Sequence, residues 1–154
     1  MKKFRMPLLL GFWLISISLY SQNVIMHNGT VNTCGGYFYD SGGRTGNYAD
    51  NENLVLTLCS DGSTGTHMLL TFIGTTLGPG DNICFFDGTD ASAPSLGCAS
   101  DYPTGNFIIQ ATAANSSGCI TVVFTSDGVG NDSGWECNLQ CAANCQVFNS
   151  VLTF

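Results

Sequence analysis

Asp81-Asn82-Ile83-Cys84-Phe85-Phe86-Asp87-Gly88 is the stretch on which the reading of this chain turns. Ile83 to Phe86 is an apolar run of strand length, and Asp87-Gly88 is a dipeptide that sends the chain back on itself. Cys84 inside the run offers a covalent staple. Asp81 ahead of it offers hard oxygen to a cation. Strand, staple, turn and acid lie within eight residues, which predicts a disulfide-stapled β-domain whose function sits on a loop edge.

Outward from this stretch the same pattern repeats. Leu54 to Cys59, His67 to Ile73, Phe107 to Ala111, Ile120 to Thr125 and Trp135 to Leu139 read as further strands. Turn signals separate them: Asp61-Gly62, the Gly-rich loop from Gly74 to Gly80, a loop from Ala91 to Pro103, and Gly128-Val129-Gly130-Asn131. Val24 to Cys34 alternates weakly and reads as an edge strand. Gly35 to Asn53 is too rich in Gly and Asn for a regular strand, so it is expected to be an ordered loop pinned by Cys34 and by the aromatics Tyr37, Phe38 and Tyr39. Short strands with turns between them predict an all-β, two-sheet sandwich.

Lys2, Lys3 and Arg5, an apolar run from Pro7 to Tyr20, and Ser21-Gln22 have the form of a secretory signal peptide over residues 1–21. A retained membrane anchor is the competing reading, but the run is short for a bilayer and is broken by Ser16 and Ser18. Beyond residue 21 a single cation, Arg44, faces eleven acids, a formal charge of −10. Such a surface disfavours nucleic acid and anionic lipid and suits calcium or a basic or neutral partner. All eight cysteines lie beyond the leader, an even count that points to disulfides in an exported protein. About 130 residues suit one domain, here 22–145. Val147 to Phe154 then starts a new apolar stretch, expected to open a following segment of a longer protein; an edge strand folding back is the alternative.

In order and spacing these motifs resemble the CUB domain family. Asp81 to Gly88 is similar to its Asp-x-apolar-x-apolar-x-Asp-Gly core, Ser95-Leu96-Gly97-Cys98 to its Leu-Gly-x-x-Cys segment, and Ser126-Asp127 with Gly134-Trp135 to its Ser-Asp pair and Gly-aromatic. Gly46-Asn47-Tyr48-Ala49-Asp50-Asn51 stands where the family has its tyrosine-containing entry. The Tyr39-Asp40-Ser41-Gly42-Gly43 variant looks most like CUB-like domains of secreted Bacteroidetes-type surface proteins. The resemblance implies a jelly-roll β-sandwich that binds protein or glycan through its loops.

It also implies the bridges Cys34–Cys59 and Cys84–Cys98. Cys119, Cys137, Cys141 and Cys145 exceed the usual set. If Ile120–Thr125 pairs antiparallel with Trp135–Leu139, Cys119 falls near Cys141 and Cys137 is left for Cys145; other pairings among the four stay open. The four-residue recurrence of Cys137, Cys141 and Cys145 would suit zinc on a helix, but neighbouring strand residues and an oxidising compartment argue against it. By the resemblance Asp81 and Asp127 match calcium ligands and Tyr48 their supporting tyrosine, although Thr75, Thr76 and Leu77 occupy the region of the family's glutamate. Without a metal, Asp81 is expected to accept loop amides, and Asp87 and Asp127 to form turns.

The audit for catalysis is negative. Asp40-Ser41-Gly42-Gly43 looks like a serine-protease nucleophile string, but His27 and His67 are the only histidines and the chain ahead of Ser41 is too short for a first barrel. It reads as a turn capped by Asp40, and His67 reads as a solvent-facing strand residue. No phosphate loop, Gly-x-Ser-x-Gly or His-Glu-x-x-His occurs. The expectation is a non-catalytic, secreted or cell-surface adhesion module that recognises protein or carbohydrate through Tyr48, Asp81, Asp127 and Asp132. The alternative is an accessory domain of a secreted hydrolase, namely a peptidase, whose catalytic part lies beyond this chain.

Overall fold

The computed structural model describes residues 22–102 and 104–143; the leader, Cys145 and the Val147–Phe154 stretch lie outside the described residues. Among the described residues ten strands form: β1 Val24–Ile25, β2 Gly29–Asn32, β3 Tyr37–Tyr39, β4 Asn53–Cys59, β5 His67–Thr76, β6 Asn82–Phe86, β7 Ser95–Cys98, β8 Phe107–Gln110, β9 Ile120–Thr125 and β10 Gly134–Ala142. They divide into two five-stranded sheets, β1-β3-β10-β5-β8 and β2-β4-β9-β6-β7. The fold class is therefore the disulfide-stapled β-sandwich that the alternating runs predict.

Period-two alternation builds the core. Met68, Leu70 and Phe72 of β5 point inward from the first sheet, with Phe38, Trp135, Cys137 and Leu139; Leu56, Leu58, Ile83, Phe85, Ile120, Val122 and Phe124 point inward from the second. Aromatic contacts lock the sheets face to face. Phe72 meets Phe85 with ring centroids 5.2 Å apart, and Phe124 meets Trp135 at 5.1 Å. Each such ring, removed from water, contributes on the order of 2 kcal/mol.

Several local readings change. Tyr37–Tyr39 is a strand, because β10 offers it an antiparallel partner (Phe38 opposite Cys137) that outweighs its flanking glycines. The Val24–Cys34 segment splits: β1 runs parallel to β3 in one sheet, β2 parallel to β4 in the other. The Ala91–Pro103 loop contains β7, paired antiparallel with β6, and a 3-10 turn at Ala99–Asp101. Asp87-Gly88 opens an eight-residue connection whose ends meet through Asp87 N–H to Pro94 O, and it lies over the second sheet. There Thr121 Oγ1 donates to Gly88 O and Thr57 Oγ1 to Thr89 O, which is how two threonines come to be buried. His67 is buried, not solvent-facing, with its Nδ1 beside Thr66 Oγ1.

The bridges also differ. Cys84 joins Cys98, directly opposite across β6 and β7. Cys34, however, joins Cys141 and Cys59 joins Cys119. The expected Cys34–Cys59 and Cys119–Cys141 pairs are thus corrected. The reason is topological: β9 and β10 do not pair, since the 126–133 connection carries the chain from one sheet to the other. β9 lies beside β4 instead, with Leu58 opposite Ile120, so Cys59 and Cys119 face each other one step on. Cys137 forms no disulfide among the described residues; it points into the core, where burial pushes its thiol well above the ordinary range.

Candidate functional site

Loops 40–52, 77–81 and 126–133 meet at one end of the sandwich, and they bring the four expected residues together. Tyr48 is buried against Phe124, ring centroids 5.0 Å apart. That packing aims its hydroxyl across the loops: Oη accepts the Gly78 N–H at 2.6 Å and donates to Asp81 Oδ2 at 2.5 Å. The other oxygen of Asp81 accepts the Asp127 N–H at 2.7 Å. Asp127 Oδ1 in turn accepts the Val129 N–H at 2.9 Å, and its carbonyl accepts the Asn51 N–H at 2.7 Å. Asp132 lies on the same 126–133 loop, where its carboxylate accepts Ser133 N–H at 2.7 Å. One chain of hydrogen bonds therefore spans all three loops.

Electrostatics follow from this arrangement. Burial, then the hydrogen bond to Asp81, pushes the Tyr48 phenol up to about 12, so it stays protonated as the donor to the carboxylate. Close approach requires glycine at two positions. A Cβ on Gly78 would stand 1.8 Å from Gly130 O, and one on Gly80, whose φ is +96°, would stand 2.5 Å from Asp127 Oδ2. Asp127 is exposed and Asp81 half-buried, so the rim shows carboxylate to solvent while its interior is tied.

The fit to calcium can be judged from these donors. Both Asp81 oxygens are engaged by protein donors, which leaves Asp127 Oδ2 as the one carboxylate oxygen of the pair without a hydrogen bond among those described. Thr75 and Leu77 bring no carboxylate, and among the described residues no group of three or more acidic, histidine or cysteine side chains converges. Calcium takes six to eight oxygens. The residues present therefore do not fit a dedicated calcium site.

Elsewhere the expected turn roles are partly replaced. Asp87 accepts Thr112 N–H at 3.0 Å, Thr112 Oγ1 at 2.5 Å and Asn115 Nδ2 at 2.9 Å, pinning the 111–118 loop to its own. Asp40 does cap its turn, accepting Gly42 N–H at 2.7 Å, but it is fully buried. Ser41 Oγ donates to Glu52 Oε2 at 2.6 Å. The histidines are engaged elsewhere, His27 Nδ1 with Ile25 O and His67 Nδ1 with Thr66 Oγ1. Trp135 is core, as its place after a turn glycine suggests.

The same end of the molecule also holds a recess that the motifs did not reveal, lined by Tyr39, Gly43, Arg44, Gly74, Thr76, Ser133, Gly134, Trp135 and Glu136. Its members come from three separate stretches, 39–44, 74–76 and 133–136, which the sheet order brings together.

No family model and no curated protein matches this sequence. Among solved structures the fold is similar to the CUB1-EGF-CUB2 domains of rat MASP-1, at a TM-score of 0.55 and 12% identity over 75% of this chain. The match spans 43% of that structure's length. The architecture is CUB-like.

Proposed function

We propose that this chain is a non-catalytic extracellular recognition module, a CUB-like domain that presents its acidic loop edge to a protein or a glycan. The observation that carries the reading is the hydrogen-bonded rim Tyr48–Asp81–Asp127, which fixes three loops relative to one another. Preorganised loops lose little freedom on binding, and that is where a rigid sandwich places its specificity. A leader-like first 21 residues and the three disulfides among the described residues fit an oxidising destination, outside the cell or on its surface. Ser41 is tied to Glu52, and neither His27 nor His67 hydrogen-bonds to it, which favours binding over hydrolysis within this chain.

Calcium, implied by the resemblance at Asp81, Asp127 and Tyr48, is not given a part, because only two carboxylates meet there and both oxygens of Asp81 are tied to protein donors. Titration calorimetry at millimolar calcium checks this point, and the expected result is no saturable heat. For recognition itself, the refolded domain is applied to arrays of glycans and of secreted proteins beside an Asp127→Ala/Asp132→Ala variant. A reproducible ligand whose signal falls at least tenfold in the variant supports the reading. Empty arrays, or signals that the variant leaves intact, overturn it.

A further inference from the structure

Arg44 is the only Lys or Arg beyond residue 5, and though exposed it lines a recess of about 200 Å³. The floor is Tyr39, which lies on the outer side of its sheet, opposite Glu136 on β10, yet is only 4% exposed. The turn that follows it explains that cover. Asp40 ties the Gly42 amide, and Gly43 lies against Ile25 on the edge strand, so Arg44 is brought back over the sheet. Both charges reach the phenol: Glu136 raises its pKa and Arg44 lowers it, beneath the larger effect of burial. Thr76 and Ser133 add hydroxyls, and three glycines give flat backbone walls.

A recess with one guanidinium, one carboxylate and several hydroxyls has a defined complement. The guanidinium asks for a planar anion held by paired hydrogen bonds. A bare carboxylate would leave Glu136 facing like charge, whereas a carboxylate flanked by hydroxyls gives Glu136 donors as well. The surrounding charge of −10 beyond residue 21 repels ligands with many anionic groups, so a single carboxylate is the tolerated number. We propose that this recess binds a uronic-acid residue at the end of a glycan, with Arg44 on the carboxylate and Glu136, Thr76 and Ser133 on the hydroxyls. This site is separate from the Asp81–Asp127 rim and does not depend on which partner that rim takes.

The test uses the full chain, amide NMR and three small probes: glucuronate, glucose and N-acetylaspartate. Glucuronate is expected to give saturable shifts at Gly43, Arg44 and Ser133 to Glu136, and glucose at the same concentration none. Arg44→Gln, at an exposed position, is expected to keep the folded spectrum and weaken glucuronate at least tenfold, with Arg44→Lys intermediate. Absence of saturable shifts up to tens of millimolar overturns the site, as does unchanged binding in Arg44→Gln. N-acetylaspartate binding as tightly as glucuronate overturns the sugar and assigns the recess to acidic peptide instead.

Discussion

Tyr48 is the residue on which the loop edge hangs, since its one hydroxyl accepts from Gly78 and donates to Asp81. Tyr48→Phe keeps the packing on Phe124 and removes both hydrogen bonds, leaving a half-buried carboxylate and a buried amide short of partners. A loss of about 2 kcal/mol in denaturant unfolding is expected. Asp40 gives the second residue-scale prediction. Burial raises its carboxyl pKa, while the amides of Gly42 and Trp135 pull it partly back. Between the ordinary carboxyl range and the raised value, the native state holds a proton that the unfolded chain has lost, so the contribution of Asp40 to stability falls as pH rises through that window. Lowering pH from neutral to mildly acidic should therefore improve the wild type relative to Asp40→Asn, read as a difference in melting temperature. Parallel curves would show that the buried carboxyl is not the source.

At the scale of elements, the staples tie different pairs of strands and should differ in strength. Cys34–Cys141 fastens the end of β2 to β10 across 107 residues of sequence, whereas Cys84–Cys98 closes a hairpin of separation 14. In the chain-entropy account, replacing the first pair by alanine costs about 5 kcal/mol and the second about 3 kcal/mol. Guanidinium midpoints of the two double variants would rank them, and the reverse order would refute the assignment. These pairings also mark where sequence reading stops. Strands such as β4, β5 and β9 are legible because alternation and bounding turns are local signals. The partner of β9 is not, because a short Gly-rich connection between two strands looks the same whether it closes a hairpin or crosses between sheets. β3 is hidden for a related reason: three aromatics between glycines acquire strand geometry from β1 on one side and from β10, some hundred residues away, on the other.

For the whole molecule, the candidate site divides along the same line. Tyr48, Asp81 and Asp127 are recognisable by motif and Asp132 by its place on the neighbouring loop, and the sandwich gathers them at one end. The Arg44 recess has no motif, since its walls come from separate stretches that meet only when two sheets are stacked in this order. The Cys34–Cys141 bridge has one more consequence at this scale, a mechanical one. Tension applied at the two ends of the chain is borne first by β1 and β2, which precede Cys34; between Cys34 and Cys141 the load runs through sulfur and spares the strands the bridge encloses. Single-molecule pulling should give almost no lengthening between these residues until a reductant cuts the bond, and then a release of about a hundred residues. A module built in this way could sit in a chain under traction and keep its loops in shape.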